Sequence, residues 1–233
     1  MEKMYTTLCS GLEALALPLE EARCRTLCAF GEAVVEQNKV MNLTAITEPE
    51  AVAKLHLLDS VSVLKTAELA GKSLIDVGCG AGFPGVPLKI ACPELKLTLL
   101  DSLGKRVNWL STILPTLGVE AECVTARAEE AVAQRRERYD FATSRAVARL
   151  NVLLELTAPF VKVGGAVLAM KGAAAAEELE EAKNAIAKLG LQVEQIHHFP
   201  VDGADHAVIV LRKVRSTPAQ YPRRFNKIKQ FPL

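Results

Sequence analysis

From Lys72 to Leu189 the chain repeats one pattern: a short apolar run, a polar turn, then apolar residues at helical spacing. The runs are Ser73–Val77, Leu95–Leu100, Glu120–Val124, Phe141–Ser144 and Ala166–Met170. The helical patterns between and after them are Pro87–Cys92, Lys105–Leu117, Ala128–Arg138, Leu150–Val161 and Ala174–Leu189. Strand alternating with helix dictates a parallel sheet covered on both faces. The ending breaks the rule. Gln192–His198 and Ala207–Arg212 read as strands, with Pro200, Asp202 and Gly203 as the turn between them. That gap is too short for a crossover helix, so an antiparallel hairpin is expected.

The first seventy residues read as helices instead. Pro18 breaks an initial helix, and Leu19–Val35 is apolar at helical spacing. Asn38 to Thr44 reads as a polar break, and Thr47-Glu48-Pro49-Glu50 as a helix start with a capping threonine. Ala51–Leu69 continues that helix. Three segments follow: an N-terminal helical extension (1–70), a ligand-binding core (71–214) and a basic tail (215–233). The start, MEKMYTTLCS, lacks the pattern of a signal peptide, and no apolar run is long enough for a membrane span, so a cytoplasmic protein is expected. The six cysteines include no Cys-x-x-Cys pair, and no metal site is expected. Net charge is +1, which selects no partner, but no acidic residue follows Asp205. Arg212, Lys213, Arg215, Arg223, Arg224, Lys227 and Lys229 do follow it, which reads either as a loose, solvated end or as a tail that meets phosphates.

The segment Asp76-Val-Gly78-Cys-Gly80-Ala-Gly82-Phe-Pro-Gly85 leaves the first strand and opens a helix. Its glycines permit positive φ and let a ligand approach bare backbone. Gly80 to Gly85 is also a literal G-x-G-x-x-G, a pattern that alone suits NAD or FAD as well. Asp76 sits two residues before Gly78, where a carboxylate would repel a pyrophosphate and favour a cation. Asp101 closes the next strand and is placed to accept hydrogen bonds from ribose hydroxyls. Ala128 and Glu129 follow the third strand, where an adenine edge would lie. Asp76 and the hairpin together favour S-adenosylmethionine (AdoMet) over a dinucleotide. The expected fold is α/β: a Rossmann-like (class I) methyltransferase sheet, mostly parallel, with a C-terminal antiparallel hairpin and an N-terminal helical extension.

Ligands in such sheets sit beyond the carboxyl ends of the strands. Arg145 follows the fourth strand and Lys171 the fifth, which makes them substrate-side candidates. No N/D-P-P-Y motif and no Pro-Cys at the fourth strand is present. A nucleophile with a free lone pair, such as a ring nitrogen, needs no base, so no catalytic acid or base is expected.

NKVMNLTAIT, LHLLDS (Leu55–Ser60), DVGCGAGFPGVPL (Asp76–Leu88), DSLGKRVNWL (Asp101–Leu110), RAEE (Arg127–Glu130), SRAVA (Ser144–Ala148), MKG (Met170–Gly172) and TPAQYPRRFNKIKQFPL carry a closer likeness. With these marks the chain resembles the bacterial 16S rRNA guanine-N7 methyltransferases, the RsmG family (older name GidB). The resemblance implies cofactor contacts at Gly78, Phe83, Ala128, Glu129 and Arg145, which join Asp76, Gly80 and Asp101 from the residue reading. It implies methylation at N7 of guanine 527 of 16S rRNA, within the 30S subunit or an assembly intermediate. Phe83 or Tyr221 are candidates to stack on a looped-out base. His56 and Asp59 match a family mark and read as helix capping or packing; His197, His198 and His206 read as strand surface. An AdoMet-dependent methyltransferase of a small molecule or another RNA, and a nucleotide-binding module without catalysis, are the alternatives. Deleting Tyr221–Leu233 should weaken an RNA activity and spare a small-molecule one.

Overall fold

The computed structural model describes residues 2–201 and 203–233; the expected turn residue Asp202 lies outside them. Helices α1 (Glu2–Ala14) and α2 (Glu21–Met41) lead into a broken helix. Its parts are α3 (Pro49–Val52), a π-helical stretch Ala53–Leu58, α4 (Asp59–Val61) and a 3₁₀ turn Ser62–Lys65. Alternation then begins: β1 (Ser73–Val77), α5 (Gly85–Ala91), β2 (Lys96–Asp101), α6 (Gly104–Thr116), β3 (Glu122–Thr125), α7 (Ala128–Arg135), β4 (Tyr139–Arg145), α8 (Leu150–Thr157) and β5 (Val161–Lys171). After α9 (Ala175–Glu181) and α10 (Lys183–Leu189) come β6 (Leu191–Val201), β7 (Ala204–Lys213) and α11 (Phe225–Gln230).

The seven strands lie in the order β3-β2-β1-β4-β5-β7-β6. All neighbours pair in parallel except β7, which runs antiparallel to both β5 and β6. The α/β sheet with its C-terminal hairpin is therefore as expected, with longer hairpin strands. Chain order reverses between β1 and β4, which opens a crevice at their carboxyl ends.

Alternation along each strand divides the apolar residues between two cores. Leu74, Leu97, Leu99, Ala166 and Leu168 face one core; Ile75, Val77, Leu100, Val167 and Ala169 face the other. The first core is closed by Leu8 of α1, Leu27 and Phe30 of α2, and Leu110 and Leu114 of α6. The second is closed by Val132 of α7, Leu153 and Leu154 of α8, and Leu189 of α10. Each such fully buried side chain stabilises the fold by about 1.5–3 kcal/mol. The N-terminal helices thus pack into the same core as β1 and β2. Cys24 and Cys28 are buried in it as well. No helix among the described residues is long and apolar enough to cross a membrane.

Three local expectations are corrected. The polar stretch from Asn38 does not break α2, which runs to Met41 and ends at Asn42 in the left-handed region (φ 50°). Asn38 is a C-terminal cap instead, its Oδ1 accepting the Leu43 and Thr44 N–H groups at 2.6 and 2.9 Å. Thr47 does not cap α3: Glu48 occupies that place without a side-chain bond, and Pro49 fills the first turn. The tail is not a loose arm. Tyr221 and Ile228 are buried, Arg223 pairs with the fully buried Glu155 at 2.6 Å, and Lys213 is buried beside Glu137.

Candidate functional site

The crevice forms a cavity of about 550 Å³ at the carboxyl ends of β1, β2 and β4. Gly78, Gly80, Phe83, Asp101, Ala128, Glu129 and Arg145 all line it. The loop after β1 is shaped by glycine: Gly78 and Gly80 hold φ of 73° and 55°, and Gly78 donates to Leu100 O at 2.7 Å. Asp101 fixes the loop from the neighbouring strand. Its Oδ2 accepts the Gly80 N–H at 2.9 Å and its Oδ1 accepts the Leu103 N–H at 2.8 Å. The side chain of Glu129, at the start of α7, makes no hydrogen bond or ion pair within the described residues, so its carboxylate is free for a ligand.

Asp76 and Lys171 do not line this cavity. Asp76 is fully buried beneath the loop because it shares the face of β1 that carries Leu74. Its Oδ2 accepts the Gly85 N–H at 2.8 Å, and its Oδ1 has no partner among the described residues. Burial raises its carboxyl to about 7, against the opposing pull of the Gly85 bond. The choice of ligand argued from its charge therefore does not rest on Asp76. Lys171 lines a second cavity, of about 590 Å³, which shares His56, Arg145, Ala146 and Val147 with the first.

Arg145 stands where the two cavities meet. Its Nη1 donates to Asp59 Oδ2 and Leu55 O, both at 2.8 Å, and its Nη2 lies 3.0 Å from His56 Nδ1. A guanidinium only donates, so His56 accepts through Nδ1 and carries its proton on Nε2, which donates to Thr44 Oγ1 at 2.7 Å. Burial, and after it the Arg145 charge, hold His56 down at about 4. His206 moves the other way: it donates from Nδ1 to Asp59 Oδ1 at 2.8 Å, and that bond raises its pKa above the ordinary value. His206 is thus not merely strand surface, and His56 and Asp59 are not merely packing. The π-helical stretch supplies both His56 and the Leu55 carbonyl, an irregularity that recurs at functional sites. Ala146, beyond Arg145, is held at φ 56°, a strained value for alanine.

Phe83 is enclosed. Phe30 lies 5.3 Å away, the His56 ring stacks on it at 4.6 Å, and the Arg145 guanidinium sits 5.1 Å from its centroid. Tyr221 is buried with Arg223 over its ring at 6.0 Å. Neither ring presents a free face, which corrects the expectation that one of them stacks on a base. The cavity also takes in Leu43, Thr44, Leu103 and Phe225, which the sequence reading missed. Leu43 and Thr44 were hidden in the supposed polar break, and Phe225 in a tail read only for charge.

Comparison with known proteins decides the family. The model of the family described as rRNA small subunit methyltransferase G (GidB) matches residues 23–207. The chain belongs to the rRNA small subunit methyltransferase G family. Ribosomal RNA small subunit methyltransferase G of Alkaliphilus metalliredigens is 44% identical over 220 residues, which cover 92% of each chain. Its counterpart in Caldanaerobacter subterraneus subsp. tengcongensis is 43% identical over 238 residues, covering 100% of this chain and 99% of its own. Among solved structures, the mitomycin 7-O-methyltransferase MmcR gives a TM-score of 0.57 at 17% identity, covering 79% of this chain and 60% of its own. TYW2 of P. horikoshii in complex with MeSAdo gives 0.55 at 16%, covering 67% and 62%. At those identities the likeness concerns the fold. In this member of the rRNA small subunit methyltransferase G family, no group of three or more His, Cys, Asp or Glu able to hold a metal is found among the described residues.

Proposed function

We propose that the chain transfers a methyl group from S-adenosylmethionine to N7 of a guanine in 16S rRNA, by resemblance guanine 527. One observation carries the choice of a ring nitrogen: among the described residues, no group at the junction of the two cavities is free to take a proton. His56 spends its lone pair on Arg145, and its ring resists protonation. Both oxygens of Asp59 are engaged, by Arg145 and His206, and both of Asp101 by loop amides. Two other carboxylates stand off this junction: Glu129 beyond β3, on the far side of β1 and β2 from Arg145, and Glu178 within the second cavity, held in an ion pair with Lys171. Amine, hydroxyl or carbon nucleophiles need a base; the N7 lone pair does not.

The cavity fits AdoMet by its donor set. Its volume suits a ligand of that size. The bare backbone of the glycine loop, the Asp101 carboxylate, the unpaired Glu129 and the Arg106 and Arg145 guanidiniums line it, the close approach and mixed acceptors and donors that a nucleoside with an amino-acid tail requires. Bound there, AdoMet supplies a methyl group on a sulfonium. The residues of the chain bind, orient and exclude water: Asp101 and Glu129 on the nucleoside side, and Arg145, fixed by its bonds to Asp59 and Leu55, at the junction.

The RNA contact falls on cations that make no ion pair within the described residues: Arg106 and Arg127 at the cavity, and Arg224, Lys227 and Lys229 on the tail. So few phosphate contacts suit a partly assembled 30S particle in the cytoplasm better than free RNA. Incubation with tritiated AdoMet tests the proposal. Label is expected in 16S rRNA, faster in 30S particles than in naked RNA; label confined to protein or small metabolites would overturn it.

A further inference from the structure

The second cavity lies at the carboxyl ends of β4 and β5, against the wall formed by Arg145, Ala146 and Val147. Its floor holds an ion pair. Lys171 Nζ is 2.7 Å from Glu178 Oε2, with only 8% and 14% of the two side chains exposed. Both groups are held from behind. The ammonium donates to Ala148 O at 2.6 Å, and Glu178 Oε2 also accepts the Leu150 N–H at 2.7 Å, at the start of α8. That leaves the third N–H of Lys171 and the Oε1 of Glu178 without a partner among the described residues. A fixed donor and a fixed acceptor therefore stand side by side in a cavity large enough for a purine.

We infer that this cavity receives the target guanine, and that Glu178, held beside Lys171, reads its Watson–Crick edge. The inference rests on the N7-methylation reading above. Guanine presents a carbonyl, O6, next to two groups that donate, N1–H and the 2-amino group. An ammonium beside a carboxylate is the complement of that edge. Adenine presents the reverse, an amino group next to the N1 lone pair, and would set its acceptor against the carboxylate. Holding guanine by this edge leaves N7 on the other ring of the purine, away from Glu178. The same contact favours the reaction. A base alkylated at N7 becomes cationic and its N1–H more acidic, so its bond to a carboxylate strengthens as charge develops. The new N7–C bond forms from the nitrogen lone pair as the donor's C–S bond breaks and its electrons return to sulfur; no proton moves. Glu178 thereby acts on both choice of base and rate, without acting as a base itself.

Single-turnover methylation of 30S particles reconstituted with inosine at the target position tests this. Inosine keeps N7, O6 and N1–H and lacks only the 2-amino group. The wild-type enzyme is expected to methylate the inosine particle about ten-fold more slowly than the guanine particle, the value of one hydrogen bond to a charged group. Glu178→Gln should methylate guanine about ten-fold more slowly than wild type, discriminate guanine from inosine less than about three-fold, and bind AdoMet unchanged in a calorimetric titration. Equal wild-type rates on the two particles would overturn the inference even if Glu178→Gln failed to fold. So would a folded Glu178→Gln variant with full rate and full discrimination. No label on the guanine particle from the wild-type enzyme would overturn the parent reading and this one with it.

Discussion

Asp76 carries a carboxyl that the fold keeps from water on every side, with one oxygen bonded to the Gly85 amide and the other to nothing described. Raised from 3.8 to about 7, it costs roughly 4 kcal/mol to ionise in the folded state. The unfolded chain gives up this proton near 3.8, so the folded state alone holds it at intermediate pH. Asp76 therefore lowers stability progressively from about pH 4 to 7 and no further above. Asp76→Asn removes the titration: its urea midpoint should rise relative to wild type at pH 8 and match it at pH 4. Arg145 carries the opposite dependence, on geometry. Arg145→Ala is expected to lower the methyl-transfer rate at least about ten-fold, and also to lower the melting temperature, because Asp59 would stay buried with His206 alone. Full activity would remove Arg145 from the site. Arg145 and Asp101 were legible in the sequence because strand ends mark the crevice. The inward face of Asp76 follows from strand alternation once Leu74 is seen to face the core. The Asp59–His206 bond joins residues 147 positions apart and has no local signal.

Among the elements, the tail departs furthest from what its composition suggests. Arg223 gives its backbone N–H, Nε and Nη2 to Glu155, a carboxylate with no exposed surface. Arg223→Ala would leave that charge buried and unpaired, and should lower unfolding free energy by about 3–5 kcal/mol, read from urea denaturation. Exposed Lys227 and Lys229 differ: replacing both with alanine should move stability by less than about 0.5 kcal/mol each. It should also weaken binding to 30S particles and flatten its salt dependence. Truncation at Tyr221, which the sequence alone recommended, removes a core side chain and the Glu155 partner together, so it cannot separate RNA binding from folding. A run of like charge reads as solvated when partners are sought nearby; Glu155 is 68 residues away from Arg223. The broken helix before β1 was legible as helix, since its apolar spacing is regular. Its π-helical stretch was not, because one extra residue in a turn barely disturbs that spacing.

At the scale of the whole molecule, alternating strands and helices set the architecture. The parallel order and the C-terminal hairpin follow from which connections are long enough to cross the sheet. That architecture places one crevice between β1 and β4, and the loops after β4 and β5 add the second cavity beside it. The existence of the second cavity was not legible, because it depends on how α9 turns Glu178 back toward Lys171. The two cavities meet at Arg145, and there a methyl group passes, on the proposed function, onto a ring nitrogen that needs no base. Mapping the modified atom tests this most directly. After reaction with 30S particles, reduction and aniline treatment should cut 16S rRNA at a single guanine, since only an N7-alkylated purine loses its glycosidic stability in this way. Labelled 16S rRNA that resists aniline would place the methyl group on another atom and contradict the account.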